Sequence, residues 1–594
     1  MRYKEESNAT YRVNDEGEQQ LLSTFTARII EETHQIDGDQ SIETTLTIKG
    51  KQTRNRQEIE LPQVVIHAEE FPGMSWVVPA WGVQAIIAPG SGVKEDLRTH
   101  IQMQSKPVRK DVYAHTGWQE IGGRRHYLHA GGGINANGND PGISVILPTE
   151  MAEYRIEHDA RRQAVQSAIA TLDLTELAPG PISWTLLAAA LSPLHGPVDF
   201  AVHLCGRTGS FKSELMSLFQ SHYGGGFDAR HLPGSWSSTP NALEAQAYVA
   251  KNAAFVCDDF VPCGTPYQQR QFHMAADRIF RAQGNQSGRA RLTDVSRLQR
   301  TMYPRGIVMS NGEEIPEGQS VRARLMIVEL PPGAIDTKLL TKAQQKRALY
   351  QETLYYYLMH LAGLDDSEYK KHVDTLRNEL VGVGHARTPT MTARLIATAT
   401  HFINWCLRIR AITKTDATNL IEDARRDILA AANTQLTYLE GSDPVQQFFT
   451  AIQAAISTGG GHFKSIHGGI PSNAAQVGWI EERSAADMPY FKSRGPLLGW
   501  VDTEGDYLYL DITAGYNIAR KHAGNDLALS RQTLLKRLKE GGVLIRTDEA
   551  RQRNTVRIQV DRHSHQVLAL CMSQVLGDEL APEDLCPQPA KPAK

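Results

Sequence analysis

The first 160 residues read as mostly β, with runs in which apolar and polar side chains alternate with a period of two. The clearest run, Ile42-Glu43-Thr44-Thr45-Leu46-Thr47-Ile48, has the pattern of a strand with one face buried. Residues 64–68 and 76–78 also read as strands, and Gly131-Gly132-Gly133-Ile134-Asn135 reads as a loop. From 161 to 340 short, wholly apolar runs alternate with helical periodicity, the signature of an α/β layer fold. Residues 341–440 are helical in pattern, with helices expected over 342–361, 391–412 and 416–436. A hinge at Gly441-Ser442-Asp443-Pro444 opens a mixed region, 441–580, which ends in a helix over 531–540 and strands over 543–547 and 555–560. Prolines 582, 587, 589 and 592 mark 581–594 as a disordered tail. No internal repeat is present.

Composition narrows the class. At ~150 residues per domain, 594 residues suggest three to four domains. No apolar run approaches the ~18–20 residues that span a bilayer. The opening Met1-Arg2-Tyr3-Lys4-Glu5-Glu6 leads into polar sequence, unlike a signal peptide. The expectation is a cytoplasmic protein with no membrane partner. The six cysteines (Cys205, Cys257, Cys263, Cys406, Cys571, Cys586) form no CxxC pair, so most are expected buried and reduced. The net charge of −3 excludes a uniformly basic nucleic-acid binder but not local basic patches. The first forty residues are acidic, with nine carboxylates against four Lys or Arg.

The most informative stretch is Ala201-Val202-His203-Leu204-Cys205-Gly206-Arg207-Thr208-Gly209-Ser210-Phe211-Lys212-Ser213-Glu214-Leu215. An apolar strand enters a small-residue turn, then Lys-Ser, then a helix with apolar periodicity: the context of a P-loop. Gly206, Thr208, Gly209, Ser210, Phe211, Lys212 and Ser213 would wrap the phosphates of ATP. Lys212 would reach the β- and γ-phosphates, and the Ser213 hydroxyl would bind Mg²⁺. Phe211 stands where a glycine is usual. A phenylalanine does not take positive φ cheaply, so the turn is expected to hold it in an ordinary region, with Gly209 supplying the freedom.

Some 45 residues on, Ala253-Ala254-Phe255-Val256-Cys257-Asp258-Asp259-Phe260 is a buried-strand run ending in two acids. Asp258 would join the Mg²⁺ shell, and Asp259 would orient or deprotonate the attacking water. A third apolar strand, Gly306-Ile307-Val308-Met309-Ser310-Asn311, ends in an amide that would bond that water and the γ-phosphate. Arg322 and Arg324, before the run 325–330, are candidates for an arginine finger entering a neighbouring subunit's site, with Arg324 slightly favoured.

This order of motifs is found in superfamily 3 and related AAA+ helicases. Residues 200–330 more closely resemble the family named domain of unknown function 927. The resemblance rests on Thr208 to Leu215, Gly226-Phe227-Asp228-Ala229-Arg230, Leu232-Pro233-Gly234-Ser235-Trp236-Ser237-Ser238-Thr239, Val256 to Asp259, Tyr303-Pro304-Arg305-Gly306 and Gly318 to Arg324. Thr116-Gly117-Trp118 extends it towards residue 60. Within that family a Phe before the lysine looks like a tolerated variant. Relatives include replication helicases of phages and mobile islands such as staphylococcal cassette chromosomes, so the resemblance implies a hexameric, ATP-driven DNA translocase. The expected architecture is a multidomain α/β chain: an N-terminal β-rich domain (1–160), an AAA+ P-loop ATPase core (161–340), a helical lid (341–440) and a C-terminal winged-helix domain (441–580).

Two basic stretches would meet DNA. Between the acid strand and Asn311, six arginines (Arg281, Arg289, Arg291, Arg297, Arg300, Arg305) oppose Asp294, a local charge near +5. In ring helicases the equivalent insertion is a hairpin tracking single-stranded DNA in the central channel. The helix over 531–540 and the strands after it have winged-helix grammar and carry Arg531, Lys536 and Arg537 among eight bases against three acids. Its DNA contacts would be phosphate-dominated and salt-sensitive. His462 and His467 read as loop residues without metal-ligand spacing. No primase or nuclease constellation is present, so priming would need a separate protein. The competing reading is an AAA+ remodelling or defence ATPase that binds nucleic acid or protein without unwinding.

Overall fold

The computed structural model describes residues 2–38, 40–290, 301–382, 387–440, 443–483, 489–502, 504, 506–523, 530–548, 551 and 553–576. Arg291, Arg297, Arg300, Cys586, the Gly441-Ser442 hinge and the tail 581–594 lie outside the described residues. The chain divides into two compact units: Met1–Ile315 with Arg324–Val383 and Arg387–Ala432, and Pro316–Ala323 with Gly384–Ala386 and Asn433–Lys594.

In the first unit the period-two run lies inside a long strand, Gln40–Arg54, which pairs antiparallel with Phe25–Asp37 and Gln57–His67. Its inward face joins Leu22, Phe25, Ile48, Leu97 and Ile101 in a fully buried core. Residues 76–78 are not a strand; they enter a short helix, Val77–Trp81. Pro79 has no N–H to give a ladder but is tolerated in a helix's first turn. The glycine cluster is not a loop either. Gly132–Asn135 is a buried strand between Arg124–His129 and Gly138–Asp140. Absent side chains allow that approach: a Cβ on Gly133 would stand 2.8 Å from the Ile143 side chain.

Five further strands form the sheet that positions the candidate site. In chain order they are β1 (Ala201–Gly206), followed by helix α1 (Lys212–Gln220); β2 (Gly234–Ser235); β3 (Ala254–Phe260), followed by helix α2 (Pro266–Asn285); β4 (Ile307–Gly312); and β5 (Leu325–Leu330). Across the sheet the order is β2-β3-β4-β1-β5, and every neighbouring pair is parallel. All carboxyl ends therefore emerge along one edge, where ligands bind in open α/β sheets. Every residue of β1 and β4 is buried, as sheets covered on both faces require. Helix Gly180–Leu191, apolar all round and buried from Ile182 onward, supplies part of that cover.

Helices Thr337–Gln345, Arg347–Ala362, Ser367–Glu379, Thr388–Arg408 and Lys414–Glu440 follow. The single helix expected over 342–361 is interrupted at Lys346, which leaves helical geometry at φ −93°, ψ 6°. Among the described residues no helix is long and apolar enough to cross a membrane.

In the second unit, helices Pro444–Ser457, Ile512–Ala523 and Arg531–Glu540 cover a sheet whose order is His462–Ser465, Leu497–Asp502, Tyr507–Leu510, His563–Cys571, Leu544–Arg546. Phe448, Ile452, Leu508, Leu534, Leu538 and Leu568 are fully buried between them. The Ser530 hydroxyl caps the third helix by accepting from the Thr533 N–H. Beyond the two expected strands there is a third, His563–Cys571, with which both Leu544–Arg546 and Val556–Val560 pair. Its apolar half, Val567–Cys571, is too short for periodicity to separate from a buried helix. His462 is no loop residue: it begins a strand and is buried, its Nδ1 facing the carbonyls of Arg494 and Gly495.

Candidate nucleotide site

The turn between β1 and α1 is drawn in on itself. Arg207 O accepts from the Ser210 N–H (3.3 Å), the Ser210 hydroxyl (2.8 Å) and the Lys212 ammonium (2.9 Å). Gly206 must be small, because a Cβ there would stand 3.0 Å from Leu330 O on β5. Gly209 takes φ +77°. The expectation for Phe211 fails: it adopts the left-handed region, φ +65° and ψ 25°, as the N-cap of α1. Its N–H and C=O must turn from the loop into the helix in one step, and its carbonyl accepts the Leu215 N–H. Phe211 remains 43% exposed, and the left-handed cost is of order 1–2 kcal/mol. The turn thus uses both Gly209 and Phe211 at positive φ.

The acid strand ends in a bulge. Cys257 faces Ser310 and Phe260 faces Gly312, so Asp258 and Asp259 together oppose the single residue Asn311. Bulges re-aim side chains beside functional sites. Here the extra residue is Asp259, at φ +68°. Asp258, half-buried, accepts from the Ser213 hydroxyl at 2.8 Å. The Asn311 amide donates to the same hydroxyl at 3.4 Å and accepts from the Asp259 N–H at 3.1 Å. Three chain segments thus converge on Ser213, with Asp259 exposed beside them.

Beneath this cluster runs a hydrogen-bond relay with no counterpart in the sequence reading. The Trp236 indole N–H donates to the Ser310 hydroxyl (2.9 Å), which faces His203 Nδ1 (3.0 Å), while His203 Nε2 faces Glu314 O (2.9 Å). A carbonyl only accepts, so Nε2 carries the proton and Nδ1 accepts from Ser310. Burial, assisted by the nearby Lys212 ammonium, pushes the His203 pKa down to about 4, leaving the ring neutral. Glu313 is the other residue not anticipated: its carboxylate accepts from the Thr208 hydroxyl of the phosphate loop. Two acids directly after a strand ending Asn311-Gly312 were the only signal for it.

The arginines fare differently from one another. Arg322 donates to Pro316 O (3.0 Å) and Tyr438 O (3.3 Å). Arg324 bonds Asn285 at 2.9 Å at the end of α2. Of the arginine-rich stretch, Arg289 is exposed, whereas Arg281 pairs with Asp277 (2.6 Å). Arg305 is mostly covered: it pairs with the buried Asp37 (2.6 Å) and lies over the Tyr248 ring at 3.6 Å. It belongs to the fold's interior, so the expected charge near +5 overstates what this stretch offers a phosphate. In the second unit Arg531 and Lys536 are exposed, Lys536 loosely paired with Glu540 at 3.6 Å, and Arg537 bonds Gln319 at 2.8 Å.

No protein-family model matches the chain, and no curated protein matches it. Among solved structures, the chain shares the fold of one titled "SCCmec type IV Cch - active helicase". The TM-score is 0.54 at 14% identity, over 97% of this chain and 98% of that one. The apo A form of the NrS-1 C-terminal region aligns over 78% of this chain and 96% of that one at TM-score 0.24 and 10% identity, too slight to bear on the fold.

Proposed function

We propose that this protein is an ATP-driven DNA helicase or translocase of the AAA+ type, acting as a homo-oligomeric, hexameric ring in the replication of a phage or mobile genetic element. One observation carries the reading: Ser213, Asp258, Asp259 and Asn311 are hydrogen-bonded together at the carboxyl edge of a parallel sheet, beside a loop that ends in Lys212. The fold shared with a helicase supports it.

The donor set fits Mg²⁺, which takes one or two carboxylates and completes its shell with water and substrate phosphates. Ser213 and Asp258 are hard oxygen donors 2.8 Å apart, and among the described residues no cluster of three His, Cys, Asp or Glu offers a self-sufficient metal cage. The ion would neutralise charge on the phosphates. Backbone N–H groups of the loop and the start of α1 would hold the triphosphate, and Lys212 would bind its β- and γ-phosphates. Asp259 and Asn311 would orient the attacking water.

A shared site is supported by where Arg324 lies. It directly precedes β5, whose first residue is in register with Ala201, whereas the phosphate loop begins after Gly206. Along parallel strands that separation is roughly 20 Å, too far to serve its own site. Arg322 or Arg324 would serve the next copy's ATP instead. Single-stranded DNA would pass the arginine-bearing segment around Arg289, Arg291, Arg297 and Arg300 in a central channel. A strand, Tyr507–Leu510, then helices Ile512–Ala523 and Arg531–Glu540, then strands Leu544–Arg546 and His563–Cys571 that return to the first strand's sheet, support a winged helix presenting Arg531, Lys536 and Arg537. Priming would fall to a separate primase, and the proposed setting is the cytoplasm.

The test is strand displacement on a forked duplex with phosphate release measured alongside. Displacement that needs ATP supports the reading. Hydrolysis without displacement would reduce it to a translocase or remodelling ATPase.

A further inference from the structure

Glu313 is anchored more completely than a surface acid needs to be. Its N–H donates to Phe260 O at 3.2 Å, at the end of the acid strand. Its carbonyl accepts from the Cys205 thiol at 3.2 Å, at the end of β1. The next carbonyl, Glu314 O, accepts from the buried, neutral His203. The main chain at 313–314 is therefore fixed between the strand that feeds the phosphate loop and the strand that carries Asp258 and Asp259. From that anchorage the exposed Glu313 side chain reaches the Thr208 hydroxyl, inside the turn that would wrap the phosphates.

Its charge is not spoken for. Among the described residues Glu313 forms no ion pair; its one side-chain partner is a neutral hydroxyl. One carboxylate oxygen accepts from Thr208, and the other has capacity to accept a hydrogen from water. An unneutralised carboxylate held beside an anion site opposes phosphate binding. Its placement is therefore better matched to a task in the reaction than to ground-state binding.

Resting on the ATPase reading above, we propose that Glu313 is a catalytic residue that accepts the proton of the attacking water. The water oxygen forms its bond to the γ-phosphorus while the bond from that phosphorus to the β–γ bridging oxygen breaks, its electron pair leaving on ADP. The water's proton passes to the Glu313 carboxylate and from there to solvent. Asp259 keeps the orienting role.

The experiment is steady-state hydrolysis with single-stranded DNA, together with binding of a fluorescent ATP analogue, on full-length wild type, Glu313→Gln, Glu313→Asp and Lys212→Ala. Proton acceptance by a positioned carboxylate contributes roughly 10²–10⁴-fold, so Glu313→Gln should lower kcat by about 100-fold or more. Nucleotide affinity should be retained or improved, and Glu313→Asp should recover part of the rate. A Glu313→Gln enzyme with kcat within about threefold of wild type overturns the assignment. So does a loss confined to KM, or tighter nucleotide binding with kcat intact. If Lys212→Ala is inactive while Glu313→Gln is not, the ATPase reading stands and only the role of Glu313 falls. If wild type does not hydrolyse ATP, both fall.

Discussion

The phosphate loop with its acids and the arginine-rich stretch behind them were equally conspicuous as sequence, yet the fold treats them in opposite ways. Residues far apart in the chain (Ser213, Asp258 and Asn311) are drawn onto one hydroxyl. Residues close together in the chain are dispersed: Arg281 to Asp277, Arg289 to solvent, Arg305 to the buried Asp37 of the N-terminal sheet. Strand ends in a parallel sheet share one edge by topology, so a motif placed at a strand end has a destination. A run of like charge has none. Arg281 and Arg305 each go to the carboxylate that the local fold brings near, and Arg289 to neither.

The largest expected effect lies in the converged cluster. Asp258→Asn should lower hydrolysis by at least about 100-fold, because it removes the carboxylate that orders both Ser213 and the proposed Mg²⁺ shell. A thermal midpoint close to wild type would show that the fold survives. Next comes the dispersed arginine. Arg305→Ala leaves Asp37 buried without its cation, a change worth about 3–5 kcal/mol, read from denaturant unfolding. If Arg305→Ala proves neutral in stability but weakens DNA binding, the division between the two regions is wrong.

Lys536→Ala should do the reverse. It should leave stability within ~0.5 kcal/mol and reduce the slope of log affinity for DNA against log salt by about one. An unchanged slope would remove Lys536 from the DNA surface. The smallest effect is expected at Phe211. Phe211→Gly relieves a left-handed phenylalanine but loosens the unfolded chain, so a net gain below about 1 kcal/mol is expected, with hydrolysis retained. A large loss of stability would mean that the exposed ring has a packing role.

The particular residues show what sequence pattern could and could not convey. The apolar runs ending in Gly206, Asp258-Asp259 and Asn311 were legible because a strand buried on both faces is predominantly apolar until it ends. The bulge that sets Asp259 apart was not, since it depends on the register between β3 and β4. Phe211 was misjudged because propensity describes an average residue, while the demand to enter α1 directly from the loop is specific to this turn. His203 and Trp236 are buried, and only the position of Ser310 between them turns two buried polar atoms into a relay. Glycines 132 and 133 punctuate no loop, because the close approach of Ile143 is a tertiary demand invisible in any window.

The most direct measurement is phosphate release from ATP by purified full-length protein, with and without single-stranded DNA, for wild type and Lys212→Ala. Wild type should hydrolyse ATP and respond to DNA, while Lys212→Ala, folded to the same thermal midpoint, should fall by about 100-fold or more. Equal rates in the two proteins, or no hydrolysis by wild type, would contradict a phosphate loop at work between Gly206 and Ser213.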